Sequence, residues 1–392
     1  MAFRHTFFLE KKLNRPNTLL LDNGNLADDP RKLSVILQVM ASDGYDAVGT
    51  GALDRPLAEH LAREATRLKV RLVRALPQGD AVDRVAETLY VKTMRGRRVG
   101  VTSLPPPPAG ESHDAYLQKA VAALREMRGR CDYLILLSQL GMEADKELAR
   151  QCGTQGPHLI IGNLEAQSLR VPLPAGNSIL LPTGPGGVRV GVAEITLPRL
   201  RQPELEMAVV QEGRGESGGH PDVMAIIGAY FAERQKEFLA NVDPKLATKS
   251  TREGAGDIYR CGRCHKTEAR RWSGGRHARA VDTLLRQNRM VPECLVCHTT
   301  RYRNTGIFDH SARAGSVDCT GCHVIDAKSG SPCPDKATRT RGVDTCLPCH
   351  TAVNSPHFNY PRYLPQVDHT QDPPPLQPGD EEYEEKMGHA VY

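Results

Sequence analysis

Eight of the eleven cysteines in this chain stand in four copies of one motif, Cys-x-x-Cys-His. The copies are Cys261-Gly-Arg-Cys264-His265, Cys294-Leu-Val-Cys297-His298, Cys319-Thr-Gly-Cys322-His323 and Cys346-Leu-Pro-Cys349-His350. Two thiols at this spacing form thioethers with the vinyl groups of a haem, and the imidazole that follows binds the iron from one face. Cys-x-x-Cys pairs also build tetrahedral zinc sites, and eight thiolates would suffice for two of them. Zinc does not require a histidine directly after every pair, yet all four pairs have one. The motifs therefore read as attachment sites for four covalent c-type haems, each carrying iron.

The second axial ligand decides what such haems do. Methionine raises the potential, and the segment offers only Met290, with Met387 far out in the tail. Histidine is plentiful: His277, His310, His357 and His369 lie outside the motifs, and His389 falls in an acidic tail where a surface imidazole is expected. The expectation is bis-histidine, low-potential haems, with His277 and His310 as distal ligands and further ones drawn from His357 and His369. The gaps between motifs are only 28, 20 and 22 residues. That is too little chain for a side-chain core, so the porphyrins must act as the core. Regular structure should be confined to short helices around the motifs and around Val281–Asn288. Haems this dense sit nearly edge to edge, which suits electron transfer.

The elements that precede the motifs alternate between strand and helix patterns. Apolar runs at Thr18–Asp22, Tyr45–Gly49, Val99–Leu104, Tyr133–Ser138 and Pro157–Gly162 predict strands. Helical spacing marks Pro30–Ala41, Leu53–Leu68, Asp114–Arg128 and Glu143–Cys152. Further strands are expected at Ser178–Pro182, Val188–Leu197 and Glu204–Val210. This order predicts an α/β domain whose sheet is covered by helices. Pro105–Pro108 reads as a stiff surface loop. Cys131 and Cys152 fall at the same end of one βα unit, either bridged by a disulfide or as two separate small buried residues. Asp222–Ala240 is a long helical run leading towards the motifs. The expected division is residues 1–245, 246–370 and an acidic, Pro-rich tail at 371–392.

The N-terminal stretches resemble the catalytic domain of metallophosphoesterases related to periplasmic 5'-nucleotidases. The resemblance rests on Leu21-Asp22-Asn23-Gly24-Asn25, on Gly44 to Leu53, on Leu136-Leu137-Ser138-Gln139-Leu140-Gly141 and on Ile161-Gly162-Asn163-Leu164-Glu165. It implies a sandwich-type fold with metal ligands on the loops after the strands. The ligand positions have changed, however. Thr50 and Gly51 stand where that family has Asn and His, Gln139 where it has His, and Asn163 where it has His. A two-metal hydrolase needs several carboxylate and imidazole ligands, so phosphoesterase activity is not expected. Asp22 and Asn25 read as loop caps after a strand. The C-terminal part resembles the tetrahaem cytochrome c554 family over nearly all of 257–370, through Trp272-Ser273, His277-Ala278-Arg279-Ala280 and His298-Thr299-Thr300 beside the motifs. That resemblance implies a mostly irregular and α-helical multihaem fold. It also implies that His277 is distal ligand to the haem of His323, His310 to that of His265, and His357 or His369 to that of His350. The haem of His298 is five-coordinate in that family; here it is either open in the same way or filled by a spare histidine.

Composition narrows the partners. Few aromatics and a net charge of +5 argue against nucleic acid, and the longest apolar runs are too short to span a bilayer. Residues 251–341 hold 17 Lys and Arg against 9 Asp and Glu, whereas 368–392 hold one Lys against seven acids. The basic segment offsets haem propionates or steers a redox protein partner, such as a membrane-bound electron-transfer complex, into contact. Covalent haem attachment takes place outside the cytoplasmic membrane, so a periplasmic or extracellular location is expected. The opening residues lack the apolar run and cleavage site of a secretory leader, so a leader removed or lying upstream is part of that expectation. The leading expectation is an electron-transfer protein whose N-terminal domain is a non-catalytic scaffold or docking surface. Two others stand beside it: conversion of nitrogen oxides or hydroxylamine at a five-coordinate haem, and a structural redox subunit of a respiratory or photosynthetic complex or filament.

Overall fold

The computed structural model describes residues 2–10, 17–162, 172–181, 187, 189–195, 204–209, 220–242, 261–308, 316–323, 342–351, 354–355 and 358–369. The chain divides into two compact units, Met1–Ile226 and Ile227–Val391.

In the first unit the central element is strand β5 (Tyr133–Ser138), a six-residue apolar run buried along its whole length. Successive side chains of a strand point to opposite faces, so such a run needs cover on both sides. Leu134 and Leu136 pack on one face with Tyr116, Leu124 and Leu148, while Tyr133, Ile135 and Leu137 pack on the other with Val73, Val101 and Leu159. The sheet built around β5 has six strands in the order β3-β4-β5-β6-β8-β7. These are β3 (Tyr90–Met94), β4 (Arg97–Leu104), β6 (Leu159–Ile161), β7 (Leu173–Ala175) and β8 (Ser178–Leu180). Strands β4, β5, β6 and β8 run parallel, and the edge strands β3 and β7 are antiparallel to their neighbours. Helices α4 (His113–Arg128) and α5 (Met142–Cys152) cover one face of this sheet.

A parallel pair, β1 (Leu21–Asp22) and β2 (Ala47–Val48), continues the α/β pattern through bridges from Val48 to Leu72 and from Val73 to Glu87. Helices α2 (Pro30–Asp43) and α3 (Ala58–Leu68) pack Leu33, Leu37, Met40, Leu61 and Ala65 into one cluster beneath them. Helix α2 has clear stops. The Asp29 side chain accepts the Lys32 N–H, Pro30 opens the first turn, and Gly44 closes it in the left-handed region at φ 74°, where glycine carries no Cβ penalty. A hairpin of β9 (Arg189–Glu194) and β10 (Glu204–Val209) completes the strands.

The helix expected over Leu53–Leu68 is a 3-10 segment, Ala52–Leu57, followed by α3. Pro56 lies inside the 3-10 segment and lacks the N–H that an α-helix would use there. Strand β3 and the N-terminal helix α1 (Ala2–Glu10) were not expected. Pro105–Pro108 is tied to the fold: Tyr116 Oη donates to Pro105 O at 2.9 Å, and Arg55 Nη2 donates to Pro106 O at 2.6 Å and Pro107 O at 2.9 Å. Cys131 and Cys152 are buried but not bridged. Their places beside Gly100 and Gly156 are those of two separate small packing residues.

The described residues of the second unit hold mostly short helices and turns. The C-terminal part of helix α6 (Pro221–Asn241) contributes Phe238 and Leu239 to a small cluster with Val281, Leu284, Met290, Leu295 and Phe308. Around it lie short helices at Lys266–Gly274, Ala280–Arg286, Pro292–His298, Thr300–Thr305 and Tyr360–Val367. Val296, Val343, Leu347, Leu364 and Val367 are exposed. An apolar surface of this kind beside the motifs is what a large apolar prosthetic group would cover.

Candidate functional sites

The loops at the C-terminal ends of β1, β2 and β5 bring together Asn23, Asn25, Thr50, Gly51 and Gln139. Gly24 has φ 92°, and a Cβ there would stand 2.8 Å from Thr50 Cα, so this turn accepts only glycine. Next to it Asn25 adopts φ 58°, a conformation asparagine tolerates better than most residues. The amides then link the loops, with Asn23 Oδ1 left buried and without a partner. Asn25 Nδ2 donates to Gln139 Oε1 at 2.8 Å, Gln139 Nε2 to Asn23 O at 2.7 Å, and Asn23 Nδ2 to Ser138 O at 2.7 Å. Asn25 Oδ1 accepts the Leu53 N–H at 3.0 Å.

The nearby charges are also engaged. Asp54 accepts the N–H groups of Gly51, Asn25 and Leu26 at 2.7, 2.9 and 2.9 Å. Asp22 faces Arg4 of α1 at 3.6 Å, and Arg4 donates to Tyr45 Oη at 3.1 Å and Gly187 O at 3.0 Å. Thr50 Oγ1 accepts Arg74 Nε at 3.1 Å, while Arg74 Nη1 pairs with Asp80 at 2.7 Å and Asp83 at 2.8 Å. Deeper in, Ser138 Oγ donates to Asp145, whose carboxyl is pushed up to about 7 by burial. Asn163 lies outside the described residues. The arrangement holds three loops together through amide hydrogen bonds. Among the described residues no group of three or more His, Cys, Asp or Glu forms a candidate metal cluster.

In the second unit the first, third and fourth attachment motifs each form a tight turn closed by a backbone hydrogen bond. The N–H of His265 donates to Cys261 O at 2.8 Å, that of His323 to Cys319 O at 2.8 Å and that of His350 to Cys346 O at 2.9 Å. The second motif instead sits in the helix Pro292–His298, started by a proline at its first position. The last three motifs converge. Cys349 Sγ lies 3.8 Å from Cys297 O, and Arg303 Nη1 lies 3.4 Å from Cys349 Sγ. Burial, then the neighbouring Cys349, pushes the Cys297 thiol up to about 11. Burial, then Cys346, pushes Cys322 up as well.

These residues fit a c-type haem. An imidazole whose Nδ1–H is held by an oxygen turns Nε2 towards a metal and gains basicity. His298 Nδ1 lies 2.7 Å from Ala280 O, and His350 Nδ1 lies 3.1 Å from Ser355 Oγ. His350 also stacks on Phe358, with ring centres 4.6 Å apart. Burial pushes both His277 and His350 down, which favours the neutral imidazole that binds metal. Met290, the only methionine in the segment, is buried in the apolar cluster. His310 and His357 lie outside the described residues.

In the second unit the described non-motif histidines are His277 and His369. The His277 ring centre is 6.3 Å from that of His350, and the His369 ring centre is 5.7 Å from that of His323. Neighbouring contacts hold both segments. Trp272 Nε1 donates to Val317 O at 3.0 Å, Val317 N to His277 O at 3.1 Å, and Arg271 Nη1 to His369 O at 3.2 Å. Ser355, the Ala280 carbonyl and Arg271 carry no sequence signal of these roles, because each acts through a contact set by the fold.

Residues 260–324 match the family of cytochrome c554 and c-prime. The match spans the first three motifs and supports a c-type haem protein that carries electrons. The fourth motif lies beyond it. No curated protein matches the chain. Among solved structures the chain is similar to the Thermus thermophilus sulfate thiohydrolase SoxB, at 15% identity and a TM-score of 0.49, over 60% of this chain and 47% of that one. It is similar to the Haemophilus influenzae NAD nucleotidase NadN at 14% identity and a TM-score of 0.47, over 62% of this chain and 65% of that one. The calcineurin-like phosphoesterase YfkN of Bacillus subtilis matches at 17% identity and a TM-score of 0.44, over 59% of this chain and 88% of that one. The chain thus spans about half of the first of these proteins and under two thirds of the second. No helix among the described residues is long and apolar enough to cross a membrane.

Proposed function

We propose that this chain is an exported electron carrier that binds four c-type haems through its four Cys-x-x-Cys-His motifs. The supporting observation is the convergence of the second, third and fourth motifs, whose cysteines lie against one another around Arg303. Haem supplies a one-electron redox centre, and attachment points this close keep neighbouring centres within short transfer distance. His265, His298, His323 and His350 bind the irons from the attachment side. The Ala280 carbonyl and Ser355 hydroxyl orient two of these rings. Arg303 places a positive charge among the attachment sulfurs.

The first unit acts as a scaffold or docking surface in this reading. Its loop cluster is closed by amide hydrogen bonds, and its carboxylates are taken by Arg4, Arg74 and backbone N–H groups. The partner is a redox protein outside the cytoplasm, met through the Lys and Arg excess of the sequence between residues 251 and 341.

Haem stoichiometry of protein matured in a host that attaches c-type haem tests the proposal. Four haems per chain by alkaline pyridine spectrum, with no stoichiometric zinc, is the expected result. Two zinc ions per chain and no visible haem band would overturn it.

A further inference from the structure

Arg303 stands where three attachment motifs meet, and the fold fixes it there. It lies in the helix Thr300–Thr305, directly after the second motif. The Thr299 side chain opens that helix by accepting the Tyr302 N–H at 2.8 Å, and Gly306 closes it in the left-handed region at φ 68°. Thr300 pins the helix to the third motif. Its N–H donates to Ser316 O at 3.3 Å, and its Oγ1 accepts the Asp318 N–H at 3.1 Å. The approach is so close that a Cβ on Gly321, inside the third motif, would stand 2.9 Å from Thr300 Oγ1. From this base the Arg303 side chain reaches the fourth motif, with Nη1 3.4 Å from Cys349 Sγ. Cys349 Sγ in turn lies 3.8 Å from Cys297 O of the second motif.

We propose that Arg303 raises the reduction potential of the fourth haem, and those of the second and third to a smaller degree, through a fixed positive charge among their attachment sulfurs. The assignment rests on the haem reading above and adds a positioning residue to it. In the haem-loaded chain Cys349 Sγ is a thioether sulfur on the former vinyl edge of the porphyrin. The propionates leave the opposite edge, so Arg303 is not their counter-ion on this haem. Among the described residues it has no ion-pair partner either. A guanidinium keeps its charge at every working pH, and this one is half-buried, where charge is felt more strongly than in water. Reduction removes one positive charge from a haem iron, so a fixed cation beside it favours the reduced form. At the third motif the effect is offset, because Asp318 acts on Cys322 with the opposite sign to Arg303. Electrons shared within the cluster are thereby drawn towards the fourth haem.

The test is potentiometric titration of the full tetrahaem chain carrying Arg303→Lys, Arg303→Gln or Arg303→Glu, with haem content and electron paramagnetic resonance spectra recorded alongside. One step falls furthest, and it falls in the order of charge: least for Arg303→Lys, more for Arg303→Gln and most for Arg303→Glu. Spin states and haem content stay those of the unsubstituted chain. Cys346→Ser with Cys349→Ser identifies the fourth haem, because it removes the step that Arg303→Gln moves most. Four unchanged potentials in Arg303→Gln would overturn the proposal. So would equal shifts in Arg303→Lys and Arg303→Gln, which would make the side chain a packing element, or survival of the most displaced step when the fourth attachment site is lost. If the double cysteine variant does not mature, the order among the three Arg303 variants decides alone. Failure of the haem reading itself would look different, as fewer than four haems in the unsubstituted chain.

Discussion

His277 faces His350 with ring centres 6.3 Å apart and planes at 51°, although 73 residues separate them in the sequence. The approach depends on the short segment after the first motif, which is clamped at Trp272 by a 3.0 Å hydrogen bond from its indole N–H to Val317 O. Trp272→Phe keeps the ring but leaves that carbonyl without its donor. We expect a loss of about 1 kcal/mol in chemical denaturation of the haem-loaded chain, with haem content unchanged. Unchanged stability would mean that the clamp contributes nothing.

Met290 is a packing residue and not an iron ligand, because its side chain is buried with Val281, Leu284, Leu295 and Phe308. Met290→Leu keeps volume and apolarity, so it should cost under about 1.5 kcal/mol and leave all four reduction potentials in place. A drop in one potential would instead identify Met290 as an axial ligand.

His158 makes the first unit sensitive to acid. Its Nδ1 accepts the Leu134 N–H at 3.0 Å, its ring stacks on Tyr133, and burial pushes it down to about 4. The unfolded chain takes up this proton below about pH 6.5, so the stabilisation is complete above that value and is lost as pH falls towards 4. Asp145 works with the opposite sign, since a carboxyl held near 7 favours the folded state at low pH. Comparison with His158→Gln isolates the histidine. Relative to that variant, the unsubstituted chain should lose about 1 kcal/mol, allowing for partial exposure of the ring, or roughly 2–4 °C in Tm, between pH 6.5 and 4. Parallel Tm curves for the two proteins would contradict this.

Gln139 ties two loops together by donating to Asn23 O and accepting from Asn25 Nδ2. Gln139→Ala leaves both partners unpaired in a partly buried site, and should destabilise the chain by about 1–3 kcal/mol in thermal unfolding followed by circular dichroism. Its visible spectrum should match that of the unsubstituted chain. A variant as stable as the parent would show that water replaces the side chain at no cost.

The four motifs were legible because c-type attachment is local in sequence, five consecutive residues forming one turn. The long strand at Tyr133–Ser138 and helices α4 and α5 were legible for the same kind of reason, as their periodicity reports burial directly. Helix α1 was not, because its main anchor is a charge, Arg4, whose partners Asp22, Tyr45 and Gly187 are distant in sequence. Pro56 hid the change from 3-10 to α-helix inside one amphipathic pattern. Distal ligation depends on which loops meet. Counting histidines put His277 and His369 forward, but where each segment is held emerges only from contacts such as Arg271 with His369 O and Val317 with His277 O.

The central claim, a four-haem electron carrier, is tested most directly by potentiometric titration of the matured chain followed by electron paramagnetic resonance. Four one-electron steps per chain are predicted, with low-spin signals from the haems of His323 and His350 in the oxidised protein. Fewer than four electrons per chain, or high-spin signals from those two haems, would contradict it.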